Sequence, residues 1–461
     1  MIHLFFFELK NLFKQKKTWI IIIIISILSV FLINDFNNRS KIFDDYNIVS
    51  VQSRIVEFEE KLDRINMIIE TGMYFREKID VSNMKEYRET LILILESLDR
   101  QEKAVLNQDW ETFHKEKLFR EYWYASNYIS DITYLRNQKI IDESRDIIQL
   151  HAEVKTKMNF PELVFSSNYT MTNVMKDFKY HYKNFLLYSY QIVQNEIYTI
   201  PVHRFTMNGS TFIYHFFAQF WVYIFILQIL LNFNGIDDSR NNGTNKLIYT
   251  LPYKKSTIIL TKFLISLFSS LIVILLPLIL VSLFLFLKDG YSQLNFPVLI
   301  NSISWNSFTG IENNFKYDSM RTGYHYSIGI SYYSSYPRGS DEMHPLLEFI
   351  KLKDFYGLTF ISLLFNVAFL SSIILLVSQF IKQKLFSFII ILSVFGIGVF
   401  ISRIDPNAIA SKFNPFNGFD VILLNGGSSS ITLLNSVLLL VLSSFILLII
   451  NQFLSSKSSS T

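Results

Sequence analysis

Residues 211–287 read TFIYHFFAQFWVYIFILQILL, then NFNGIDDSRNNGTNKLIYTLPYKKSTIILTK, then FLISLFSSLIVILLPLILVSLFLFL. Two apolar runs without Asp, Glu, Lys or Arg, Thr211–Leu231 and Phe263–Leu287, enclose a polar connector of net positive charge. A hydrocarbon core of ~30 Å needs roughly 20 apolar residues at ~1.5 Å of helix rise each. Each run therefore reads as a membrane-spanning helix. Lipid enforces the helix, because only that geometry satisfies every backbone donor and acceptor within one segment.

The same criterion finds four more spans: Thr18–Asn34 (TWIIIIIISILSVFLIN), Leu358–Ile381, Leu385–Ser402 and Ile431–Phe453. Half of the residues are hydrophobic and the mean hydropathy is positive, which argues against an ordinary soluble domain. The expected fold class is an all-α polytopic membrane protein with six transmembrane helices. The first run is not a cleaved signal peptide, since no small-residue A-x-A site follows it. With no cysteine in the chain, disulfides, thiolate nucleophiles and Cys-based metal sites are excluded. A net charge of +4 is too small and too dispersed to imply a nucleic acid partner. The bias toward Ile, Phe, Asn and Lys suggests an AT-rich coding sequence, as in low-GC bacteria.

Basic residues set the orientation. Lys10, Lys14, Lys16 and Lys17 precede the first span. Arg240, Lys246, Lys254, Lys255 and Lys262 lie between the second and third, Lys382 and Lys384 between the fourth and fifth, and Lys457 after the last. All fall on one side of a six-span path, and the positive-inside rule makes that side cytoplasmic. Both termini are then expected inside a plasma membrane. The organisation that follows is an amphipathic interfacial helix (1–17), a first span (18–34) and an extracellular helical domain (35–210). A second span (211–231), a cytoplasmic connector (232–262) and a third span (263–287) come next. An extracellular insertion (288–357), spans at 358–381 and 385–402, an outer connection (403–430), a sixth span (431–453) and a cytoplasmic tail (454–461) complete the chain.

In 1–17, Ile2, Phe5, Phe6, Leu9, Leu12 and Phe13 share one helical face, and Glu8, Lys10, Lys14 and Lys17 surround the other. That pattern suits a helix lying in the inner interface, with Trp19 at headgroup level. Val51, Ile55, Phe58, Leu62, Ile65 and Ile69 keep the four-three stripe of a helix packed on a helix. Tyr87, Leu91, Ile94, Leu98 and Val105 repeat it after a break near Gly72–Asn83. Further helices are expected over Trp110–Asp142 and Val174–Tyr198. The domain reads as a structural stalk or as a lid that binds substrate or partner. Thr322–Glu342 (TGYHYSIGISYYSSYPRGSDE) has no helical stripe. It reads as an irregular loop or, from the alternation in YHYSIGISYY, as short strands forming an aromatic wall.

Catalytic chemistry finds no foothold. The chain has no G-x-x-x-x-G-K-[ST] phosphate loop, and its eight His residues show no metal-ligand spacing. No catalytic or metal site is expected. Inside the second span, His215 and Gln219 lie one turn apart, with Gln228 further on. Ser266, Ser269 and Ser270 stand on the next span. Polar groups at that depth point toward protein or water, as interhelical hydrogen bonds or as part of a translocation path. Pro277 is a candidate kink in the third span. Arg403 and Asp405 mark the outer boundary of the fifth span, which Pro406 ends.

The connector between the second and third spans carries Gly243-Thr244, Leu247, the pair Leu251-Pro252, Lys255 and Lys262. Asp237 and Asp238 precede the Gly-Thr, separated from it by Asn241 and Asn242 among others. This pattern, behind an interfacial FFFELKNLFKQKKTW helix and ahead of four more spans, resembles the permease subunit of a type-2 ABC exporter. FNPFNGF (Phe413–Phe419) resembles that family's outer Pro-containing re-entrant or short helical stretch. The long insertion at 288–357 departs from the family's short connection there.

The resemblance implies that Asp237 or Asp238, Gly243, Thr244, Leu247, Leu251, Pro252, Lys255 and Lys262 couple the chain to a separate ATPase subunit. ATP and Mg would be bound on that partner, with no cofactor on this chain. It also implies a second permease, identical or different, and an amphipathic cargo: an antimicrobial or other peptide, or a lipid. Independently, Asn242–Thr250 suits a short surface helix started by Asn or Gly and stopped by Pro252. Asp237 and Asp238 near its N-terminus would favour it by about 0.3–1 kcal/mol. A mechanotransmission or regulatory subunit, and a membrane-anchored receptor or scaffold, are the competing expectations.

Overall fold

The structure, a computed structural model, describes residues 2–74, 77–78, 81–134, 145–161, 163, 185–194, 207–233, 255–289, 292–301, 347–381, 383–404, 413–426, 429 and 431–457. Helix α1 (Ile2–Phe13) leads through a tight turn into α2 (Lys16–Thr71). The other apolar helices are α6 (Phe212–Asn232), α7 (Lys255–Asp289), α8 (Leu352–Phe380), α9 (Lys384–Ile404) and α11 (Leu433–Lys457). With the first part of α2, these give six helices long and apolar enough to cross a membrane.

Three helices run well past the apolar segments that reveal them. α2 has 56 residues, and its candidate span ends at Arg39. No Gly or Pro interrupts residues 16–71, so the backbone ladder continues after the side chains turn polar. Gly72 stops it in the left-handed region (φ 63°), donating its N–H to the Ile68 carbonyl at 2.8 Å. The expected boundary at residue 35 is therefore no break in the chain. α7 begins at Lys255 rather than Phe263, and α8 at Leu352 rather than Leu358. α7 also continues through Pro277.

Beyond Arg39, α2 doubles back through a two-strand turn, β1 (Met73–Tyr74) with β2 (Glu77–Lys78), into α3 (Val81–Asn107). Val51, Phe58 and Ile65 of the expected stripe are buried, spaced by heptads, together with Leu91, Ile94 and Leu98 of α3. Gln108 (φ 57°) reverses the chain, and the Asp109 N–H closes on the Ala104 carbonyl at 2.9 Å. Asp109 then caps α4 (Trp110–Tyr134) through the Thr112 N–H at 3.1 Å. α5 (Arg145–Met158) and a π-helix (Ser189–Gln194) complete the described part of this helical domain. The helix expected over 110–142 is described to Tyr134, and within 174–198 only 185–194 is described.

Burial shifts His151 and Lys117 in this domain. Burial, reinforced by Lys155, pushes the His151 imidazole down to about 4, and its ring stacks on Tyr122 at 4.4 Å. Burial and then Arg120, partly offset by Glu121, lower Lys117 to about 7. Some of the Lys117 side chain still meets solvent, which moderates that shift.

The fold departs from a purely helical one at the insertion. β3 (Pro297–Asn301) pairs antiparallel with β4 (Leu347–Lys351), Leu299 opposite Phe349. The period of two splits β3 between two cores: Val298 and Ile300 join the core of the spanning helices, and Leu299 joins that of the helical domain. Phe349 packs on the domain as well, its ring 5.8 Å from Tyr190. β4 hands the chain directly to α8, where the Leu352 N–H meets the Phe296 carbonyl at 2.8 Å. Strands at these positions were not expected from the sequence, and the Tyr-rich Thr322–Glu342 lies outside the described residues.

Candidate coupling end of the bundle

At the N-terminal end of the bundle, α1 is hinged to α2 by side chains that recapture the carbonyls freed where α1 stops. Thr18 Oγ1 donates to the Leu12 carbonyl at 2.7 Å, and Trp19 Nε1 to the Phe13 carbonyl at 2.9 Å. The far end of α1 packs on α7, Phe5 meeting Phe268 edge to face at 5.8 Å. Leu12 and Phe13 pack against the bundle core, whereas Phe6 is 61% exposed beside an exposed Phe7. The expected apolar face of α1 is thus divided between a protein contact and an open surface.

The first end of the connector lies beside the α1–α2 turn. Phe233, just past α6, lies 5.9 Å from the Lys17 ammonium and 5.2 Å from Phe388 of α9. Residues 234–254 lie outside the described residues. That removes Asp237, Asp238, Gly243, Thr244, Leu247, Leu251, Pro252 and the helix expected over 242–250 from structural description. Lys255 and Lys262 are described and both belong to α7 rather than to a loop.

Further in, α6, α7 and α8 are joined by a continuous polar seam. Gln228 Nε2 donates to the Val367 carbonyl at 2.9 Å and to Ser371 Oγ at 3.2 Å. Asn232 Nδ2 reaches the Gln228 carbonyl at 3.1 Å and Ser270 Oγ at 2.7 Å. Ser266 Oγ donates to Ser371 Oγ at 3.0 Å. Ser269 and Ser270 return their hydroxyls to the Ser266 carbonyl. All these residues are buried. Gln228 and the serines are thus engaged in hydrogen bonds between and within the helices. Asn232 and Ser371, its other members, escaped the sequence reading; the i, i+4 spacing of Gln228 and Asn232 was the signal available. His215 is buried with its ring 4.5 Å from Phe36, and no side-chain hydrogen bond joins it to the half-buried Gln219.

At the opposite end, a 3₁₀ turn (Pro415–Gly418) and α10 (Val421–Gly426) fold back among the spans. The sequence expectation of a short helical stretch over 413–419 matches this turn. Asn414 starts it by accepting from the Phe416 N–H at 3.1 Å, while its Nδ2 donates to the Gly398 carbonyl at 2.7 Å. Asn366 Nδ2 of α8 holds the Gly418 carbonyl at 2.8 Å, and Ser362 donates to Asn425 at 2.9 Å. Phe416 and Phe419 pack with Phe225, Phe369 and Phe395 in one buried aromatic cluster. Residues 413–426 are therefore fixed to the bundle, and the N-terminal end carries the connector. Arg403 lies in the last turn of α9, and Asp405 and Pro406 are outside the described residues. No family model, curated protein or solved structure matches the chain.

Proposed function

We propose that the chain is the membrane-spanning permease subunit of an ATP-driven ABC exporter, working with a separate ATPase and a second permease on an amphipathic substrate. The observation that carries this reading is the convergence on α7. α1 packs on it through Phe5 and Phe268, the connector feeds straight into its first turn, and Asn232 and Ser266 tie it to α6 and α8. A push delivered at 234–254 or at α1 would reach three spans through packed and bonded contacts. Lys255 and Lys262 would face the partner or anionic headgroups, in a plasma membrane with both termini cytoplasmic and the helical domain outside.

The test starts with solubilised native membranes. An ATPase subunit should co-purify, and the reconstituted complex should hydrolyse ATP faster than the ATPase alone. Leu247→Pro should abolish that stimulation while membrane insertion persists. Absence of any co-purifying ATPase, or full stimulation with Leu247→Pro, overturns the reading.

One observation favours a second reading. The unbroken α2 joins a span to the helical domain as one rod, which suits mechanotransmission without cargo. ATP-driven displacement of the domain, with no amphiphile moved across sealed vesicles, would select it.

A further inference from the structure

The helical domain carries a groove where α3, α4, α5 and the π-helix meet, with a volume of about 640 Å³. That lies within the ~300–1,000 Å³ of small-ligand sites. Its apolar surface is supplied by Leu93, Phe119, Met158, Phe160 and Ile192. The wall is built by a helix stop: Asn159 takes the left-handed conformation (φ 53°) and the Phe160 N–H closes on the Lys155 carbonyl at 3.2 Å. This turns Phe160 back onto Phe119, edge to face at 5.1 Å.

The charges on its rim do not balance. Arg100 is held by Glu116 in a two-pronged pair at 2.6 and 3.2 Å, and Lys115 by Glu111 at 2.6 Å. Lys157 donates to the Val193 carbonyl in the last turn of the π-helix and pairs with no carboxylate among the described residues. Among the described residues, one cation is left over beside an aromatic trough.

We infer that this groove binds a single-chain anionic amphiphile, its apolar chain against Phe119 and Phe160 and its carboxylate on Lys157. The inference stands apart from the transport reading, because binding is read on this chain alone.

The experiment uses the full chain in lipid nanodiscs with a diazirine-bearing dodecanoate, and the same chain carrying a trimethylammonium head as control. Peptide mapping after photolysis should place carboxylate labelling on segments 93–119 and 157–161. Labelling of the spanning helices serves as the internal standard. Lys157→Met should cut groove labelling about tenfold, the loss of a charge-assisted hydrogen bond, and Lys157→Arg should retain it. Ile192→Trp, which fills the trough, should suppress it as well. Equal groove labelling by the ammonium probe, labelling confined to the spans, or an unaffected Lys157→Met protein of wild-type helicity each overturns the inference.

Discussion

At the scale of single residues, the question is whether buried polar groups in the spans serve adhesion or passage. Asn232 Nδ2 and Ser270 Oγ, 2.7 Å apart and both buried, are the shortest interhelical contact of the polar seam. In membranes such bonds contribute about 0.6 kcal/mol on average and up to ~1.7 kcal/mol, since the separated helices also find partners. A double-mutant cycle with Asn232→Ala and Ser270→Ala, read by denaturant unfolding in mixed micelles, should give a coupling of about 1 kcal/mol. A coupling indistinguishable from zero would remove the adhesive role. Gln228, Ser266 and Ser270 could be picked from the sequence because each interrupts an apolar run. Ser371 could not, because which face of α8 meets α6 depends on packing that no local pattern encodes.

At the scale of elements, turns and helices of the bundle approach one another at three glycines that leave no room for a side chain. A Cβ at Gly209 would stand 2.6 Å from the Phe286 backbone nitrogen, and one at Gly398 2.2 Å from the Phe416 ring. At Gly418 it would meet Ser436 Oγ at 2.0 Å. The obstacle, not the distance, sets the cost: a backbone cannot yield, a ring clamped in an aromatic cluster yields poorly, and a serine hydroxyl can rotate away. Replacement by Ala should therefore destabilise in the order Gly209, Gly398, Gly418, the first two within the ~1–3 kcal/mol of overpacked cores. Thermal unfolding of the three variants checks the order; a Gly418 variant worse than Gly209 would refute the argument. The apolar core of every span could be read from hydropathy, but the ends of α2, α7 and α8 could not. Hydropathy reports what lipid tolerates, whereas a helix ends where a Gly, a Pro or a cap stops it, as Gly72 does for α2. β3 was hidden for a related reason: Val298, Leu299 and Ile300 alternate between two cores that only the folded molecule brings together.

At the scale of the whole molecule, the two ends of the bundle are built differently. The end bearing the helical domain is closed by interlocking pieces: β3 between two cores, the 3₁₀ turn bonded to α8, and Ser282 donating to the Gly209 carbonyl at 2.7 Å. The other end has α1 laid on α7 and the connector between α6 and α7. If the proposed drive is correct, α1, α6, α7 and α8 move as one body, because packed helices bonded by a buried seam shift between discrete arrangements rather than deform. The absence of native cysteine makes this directly testable. A chain carrying Phe5→Cys and Phe268→Cys, bridged by a short bis-maleimide and reconstituted with its ATPase, should keep the stimulated hydrolysis rate of the unbridged protein. Loss of stimulation on bridging, restored by a cleavable linker, would show instead that α1 slides on α7 during each cycle. The push would then enter through α1 separately from the connector, and the convergence on α7 would be a resting contact rather than the transmission itself.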